Sequence, residues 1–234
     1  MAKKGFSEKI LVGLTGKKDD WKSKLREINK YKIKKISLFL ERFKPHERKQ
    51  IYKALLKSEV KSIPLTHLRN DMKKEEIDFL VKNFGTTHIT IHENSFKYFK
   101  KWNGHLKKFY LEMNADNHVP KMVDLKRIGG FCIDFSHFKI QEERFTKEFE
   151  YILKRKNVKR YFGCNHLNGY SYEKNCDLHT IKSLDDFNYL ISLPKFLFSD
   201  LIGLETDNSI KEQLKFKKHV ARILDTRFGK QKDF

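Results

Sequence analysis

Along this chain, short runs rich in β-branched and aromatic residues alternate with amphipathic stretches, and the alternation recurs often enough to leave few folds open. The strand-like runs cover residues 10–15, 36–41, 63–68, 88–92, 109–113, 131–135, 161–166 and 201–205. Helical stretches at 21–29, 46–56, 75–84, 142–154 and 183–190 lie between them, and one at 210–224 follows the last. Pro45 stands near a helix start and Gly85 just past a helix end, which is the usual punctuation. Right-handed crossovers return each strand parallel to the one before. Eight strand and helix units in 234 residues therefore predict an α/β fold, a single closed (β/α)8 TIM barrel domain spanning 1–234. A doubly wound open sheet is the alternative architecture.

Composition supports a packed core, since 39% of residues are hydrophobic, with 20 Phe and 9 Tyr. The opening Lys3-Lys4-Gly5 segment is followed by no apolar run long enough for a signal peptide. No later run approaches the roughly 18 residues that would span a bilayer, so a cytoplasmic protein without membrane contact is expected. Cys132, Cys164 and Cys176 cannot all pair, and the first two fall inside predicted strands, which points to reduced thiols. Fifty Lys plus Arg against thirty Asp plus Glu give a formal charge of +20, a field that attracts polyanions such as DNA. Solvated lysines on helix faces explain the same number equally well, and no obligate protein partner is evident.

In a parallel barrel the functional face forms where strands give way to their following loops. At those positions stand His67, His92, Glu112, Asp134, His137, His166, Asp177, His179 and Glu205. Five of the ten histidines belong to this set, although any one alone reads as a hydrogen-bonded loop or core histidine. Glu112, Asp134 and Glu205 have apolar neighbours in sequence, and no Lys or Arg lies within the last four strand runs to neutralise them. A cation is the expected partner, and mixed imidazole and carboxylate donors suit zinc, manganese or iron.

The tightest motifs are Cys132-Ile133-Asp134-Phe135-Ser136-His137, His166-Leu167-Asn168, Asp177-Leu178-His179 and Leu204-Glu205-Thr206. In this order on successive strands they resemble the endonuclease IV (AP endonuclease) family within the xylose isomerase-like barrels. That resemblance implies up to three zinc ions: one held by His67, His92 and Glu112, a second by Glu112, Asp134, His166 and Glu205, and a third by His137, Asp177 and His179. It implies hydrolysis of DNA on the 5′ side of an abasic site. The chain departs from the family at Leu11-Val12-Gly13-Leu14, which lacks a histidine, at Arg69, and at Thr180-Ile181-Lys182 after His179. It is also shorter than typical members, so loops that would hold extruded DNA are expected to be reduced or absent. Candidate substrate contacts are Arg69 for phosphate, Tyr170 and Tyr172 for stacking, and the basic stretch Lys97, Lys100 and Lys101 with Trp102.

Sugar isomerases and epimerases of the same barrel group resemble the chain through Glu112, Asp134, His166 and Glu205 around one manganese or magnesium. There Glu112 and Glu205 would be the catalytic acid and base on a small sugar. The role of Glu41 stays open at this stage, between a site residue and a partner of Arg42.

Overall fold

The computed structural model describes residues 5–16, 20–116, 125–158 and 161–229. The main sheet is wholly parallel and built from β1 (Ile10–Leu11), β2 (Gly13–Leu14), β3 (Lys35–Phe39), β4 (Ser62–His67), β5 (His88–His92), β6 (Phe109–Glu112), β7 (Gly130–Asp134), β8 (Phe162–Leu167) and β11 (Ile202–Leu204). A separate antiparallel hairpin, β9 (Gly169–Ser171) with β10 (Cys176–Leu178), lies in the loop after β8. The helices are α1 (Phe6–Lys9), α2 (Asp20–Lys30), α3 (Pro45–Leu56), α4 (Lys74–Phe84), α5 (Phe135–Arg144), α6 (Lys147–Leu153) and α7 (Ile210–Phe228).

β1 and β2 are halves of one predicted strand. β1 pairs with β11 and β2 pairs with β3, while the Val12 carbonyl between them accepts a hydrogen bond from the Ser37 amide at 3.0 Å. The ring therefore closes through Val12, which sets aside the open doubly wound sheet. A Cβ on Gly13 would stand 1.8 Å from the Leu204 carbonyl oxygen, so only glycine fits where the first strand presses against the last. The Gly13 amide donates to Gln213 Oε1 at 2.7 Å, and Gln213 Nε2 donates back to the Gly13 carbonyl at 3.1 Å. A fully buried side chain from α7 thus satisfies both main-chain groups at the seam.

Helix placement follows the alternation, with two corrections. The predicted helix 142–154 is two helices, because Phe145 adopts a left-handed φ of 49° and Thr146 opens α6 by accepting from the Phe149 amide at 3.2 Å. α5 begins directly at the end of β7, with Asp134 as its N-cap. The predicted helix 183–190 is a 310 segment, Leu184–Ile191, and a second 310 segment, Glu93–Trp102, follows β5. Trp102 there is fully buried and donates to the Met72 carbonyl at 3.0 Å, so it offers no surface for nucleic acid.

The barrel interior holds Leu11, Leu65, Cys132, Cys164 and Leu201 as one apolar cluster, with Tyr110 packed on it. Successive strand side chains alternate between faces, so the residue two positions on faces the same interior, one layer nearer the strand ends. From Leu65, Tyr110, Cys132 and Cys164 that step leads to His67, Glu112, Asp134 and His166. The three cysteines are free. Among the described residues no helix is long and apolar enough to cross a membrane.

Candidate metal centre

Four of the predicted ligands meet at the mouth of the barrel. Glu112, Asp134, His166 and Glu205 are all buried and each offers a donor atom within 4.8 Å of the others. His166 Nδ1 lies 3.0 Å from Glu112 Oε2 and 3.0 Å from Glu205 Oε2. Its other nitrogen, Nε2, stands 3.1 Å from the Thr90 hydroxyl, which fixes the ring and leaves Nδ1 turned toward the acids. Asp134 divides its two oxygens. Oδ1 accepts from Ser136 Oγ at 2.7 Å and from the His137 amide at 2.9 Å, capping α5, while Oδ2 is buried without a hydrogen-bond partner.

The neighbouring atoms also lack partners. Glu112 Oε2, His166 Nδ1 and His67 Nδ1 are buried and make no hydrogen bond, although His67 Nδ1 is 2.9 Å from Glu112 Oε2. Atoms this close that share no well-directed proton are donors facing a common space, and a buried orphan of this kind is costly unless something occupies that space. The set of one imidazole and three carboxylates fits a divalent cation.

Beside this group, Glu41, His67 and His92 form a second one within ligand distance. Glu41 Oε2 is 3.3 Å from His92 Nε2 and 3.5 Å from His67 Nε2, and its other oxygen is 3.5 Å from Arg42 Nε, so it both belongs to the site and pairs with Arg42. The resemblance assigned Glu112 to His67 and His92; the structure keeps Glu112 beside His67, at 2.9 Å, and adds Glu41 next to both histidines. Of the implied third set, Asp177 Oδ2 and His179 Nε2 are 3.1 Å apart, and His179 Nδ1 is 3.0 Å from the Glu205 carbonyl oxygen. Among the described residues, His137 does not join those two at ligand distance. It stands nearer the four-residue group, with Nδ1 4.0 Å from Glu112 Oε1.

Without a cation, imidazoles and carboxylates balance one another. Burial opposes ionisation of Glu112, yet His166, His67 and His92 hold it well below the usual carboxylate range. Burial likewise works against Glu41, and His67 and His92 overcome it, lowering the group to about 2. Burial favours neutral rings at His92 and His179, but Glu112 and Glu41 raise the first to about 9, and Asp177 with Glu205 raises the second to about 10. His166 is raised well above its ordinary value against full burial, with Cys132, Glu112 and Glu205 around it.

The proposed substrate contacts fare unevenly. Arg69 sits at the rim, where its Nε is 3.3 Å from Asp71 Oδ2. Tyr170 is buried, its hydroxyl donates to Asn175 Oδ1 at 2.9 Å, and its ring packs against Tyr172 and Tyr189, so it has no free face on which a base could stack. Tyr172 is exposed. Sequence reasoning missed Thr90 and left Glu41 open, although Thr90 lies two residues before His92 on β5 and Glu41 ends the predicted strand run 36–41. Within the motif Asn165-His166, the asparagine is structural: Nδ2 donates to the Ile133 and Leu197 carbonyls at 3.1 and 2.9 Å, and Oδ1 accepts from the Ser199 amide and hydroxyl, both at 2.8 Å.

No protein-family model and no curated protein matches the chain. Among solved structures, a D-tagatose 3-epimerase-like protein superposes with a TM-score of 0.52 at 13% identity, over 92% of this chain and 97% of that one. The chain has a closed parallel (β/α)8 barrel fold, which it shares with this neighbour. At that identity the likeness establishes the architecture and leaves the chemistry to the side chains.

Proposed function

We propose that this barrel is a metal-dependent isomerase or epimerase acting on a small sugar or sugar phosphate. The carrying observation is that Glu112 and Glu205 approach the same His166 Nδ1, each at 3.0 Å, in a buried group completed by Asp134. Glu112, Asp134, His166 and Glu205 would hold one manganese or magnesium, which when bound would polarise the carbonyl and adjacent hydroxyl of the substrate. The glutamates do the proton work. One carboxylate takes the proton from the carbon beside the carbonyl, and the other, in its protonated form, returns one to carbon. Burial of both side chains keeps bulk water from the carbanionic centre. His137, half-buried 4.0 Å from Glu112, is placed to donate to a substrate hydroxyl. The sugar epimerase-like description of the structural neighbour supports this over DNA hydrolysis.

Phosphodiester hydrolysis on a multinuclear zinc centre is the second reading, because Glu112 Oε2 is 2.9 Å from His67 Nδ1 and 3.0 Å from His166 Nδ1, so this carboxylate would be available to both ligand groups. The Glu41, His67 and His92 group and the +20 charge favour it too. One experiment separates them. Protein purified without chelator is assayed in D2O with keto-sugars for deuterium incorporation at carbon, and in parallel with a duplex carrying one abasic site. Deuterium exchange that depends on one manganese or magnesium at the mouth is expected; strand incision with two or three zinc per chain, and no exchange, would overturn the proposal in favour of the hydrolase.

A further inference from the structure

Outside the barrel wall, the loops after β5 and β6 meet α5 and α6 around a second collection of oxygen atoms that none of the chemistry above uses. Glu93, Asp116 and Glu148 present carboxylate oxygens within 4.8 Å of one another. Glu148 is 0% exposed and Glu93 only 4%. Neither of these two has a lysine or arginine in ion-pair contact among the described residues. Like charges so close and so dry cannot all remain ionised without a positive partner.

Two amides surround the carboxylates. Asn114 donates to both Glu93 oxygens, through its main-chain amide at 3.0 Å and Nδ2 at 2.6 Å. Gln141, 1% exposed, donates through Nε2 to Glu148 Oε2 at 2.7 Å and to the Asn114 carbonyl at 2.9 Å. Those bonds fix the Gln141 amide against the acids with its own Oε1 buried and unpartnered, and Glu148 Oε1 is left in the same condition. A buried amide oxygen without a donor, held beside carboxylates, is a ready cation ligand, and a proton on Glu148 is the competing way to satisfy it, which metal titration distinguishes. The donors are all oxygen, which selects a hard ion over zinc.

We propose that Glu93, Asp116 and Glu148, with the amide oxygen of Gln141, bind a hard divalent cation of the calcium or magnesium type. The ion ties the loop after β6 and the start of the 310 segment at Glu93 to α6. It is separate from the barrel-mouth centre and does not depend on which reaction that centre performs.

The test titrates calcium into chelator-treated protein by calorimetry and follows Tm, with His166→Ala as the background in which the mouth centre is disabled. Calcium is expected to bind at one site per chain and to raise Tm in both the wild type and His166→Ala. Asp116→Asn, which alters an exposed residue and keeps the fold as judged by circular dichroism, is expected to weaken that binding at least tenfold, and Glu148→Gln to abolish the Tm response. The proposal is overturned if neither calcium nor magnesium binds the wild type. It is equally overturned if binding persists unchanged in both variants, or if it vanishes in His166→Ala.

Discussion

At the scale of single residues, the centre depends on side chains that never touch a ligand. The Thr90 hydroxyl, 3.1 Å from His166 Nε2, decides which imidazole nitrogen faces Glu112 and Glu205. Thr90→Val keeps the shape of the side chain and removes that contact, and divalent metal affinity is expected to fall about 10- to 100-fold, measured by competition with a chromogenic chelator. Thermal stability of the metal-free protein should change little by comparison. Gln213 has the complementary role. Its replacement by leucine leaves the Gly13 amide and carbonyl buried without partners, which is expected to cost about 1–3 kcal/mol of stability in urea unfolding. Neither role is legible from spacing. Thr90 stands two residues before His92 on β5, but its partner is 76 residues away, and the pairing of Gln213 with Gly13 spans 200 residues.

At the scale of elements, the connection from β7 onward departs most from the sequence reading. Apolar periodicity continues across Phe145, so 142–154 reads as one helix, and what breaks it is backbone conformation at a single site. Phe145 is 84% exposed at a φ of 49°, a region that is strained for any residue with a Cβ. Phe145→Gly relieves that strain without loss of buried surface and is expected to stabilise the protein by up to about 1 kcal/mol, read as a rise in urea midpoint. In α6, burial lifts the Glu148 carboxyl from 4.5 to about 9. Its folded form therefore holds a proton that the unfolded chain has already lost over that interval, so stability falls as pH rises from about 4.5 toward about 9. With chelator present, Glu148→Gln is expected to flatten this slope in pH-dependent unfolding. An unchanged slope would show that Glu148 is not the group responsible.

At the scale of the whole molecule, ligands contributed by β4, β6, β7, β8 and the end of β11 meet at one mouth, so a bound ion joins strands from opposite sides of the ring. Metal at 100-fold its dissociation constant is expected to add about 2.7 kcal/mol of stability, and the Tm rise on adding manganese to chelator-treated protein should shrink in His166→Ala to whatever the Glu93–Glu148 site contributes. Strand count, parallel order and the eight-unit barrel were all determined by the sequence, because local hydrophobic period and crossover handedness constrain them and neither requires long-range knowledge. Position at the strand ends singled out His67, Glu112, Asp134 and His166 as candidates, because a parallel barrel gathers those ends at one mouth. Tertiary structure alone decided how these side chains are shared: Glu41 joins His67 and His92, Tyr170 turns into the core, His137 lies 4.0 Å from Glu112, and Glu93 meets Glu148. Those outcomes depend on distances of a few ångströms between residues far apart in the chain, which the closure of the ring and the packing of α5 and α6 set, and which no local pattern encodes.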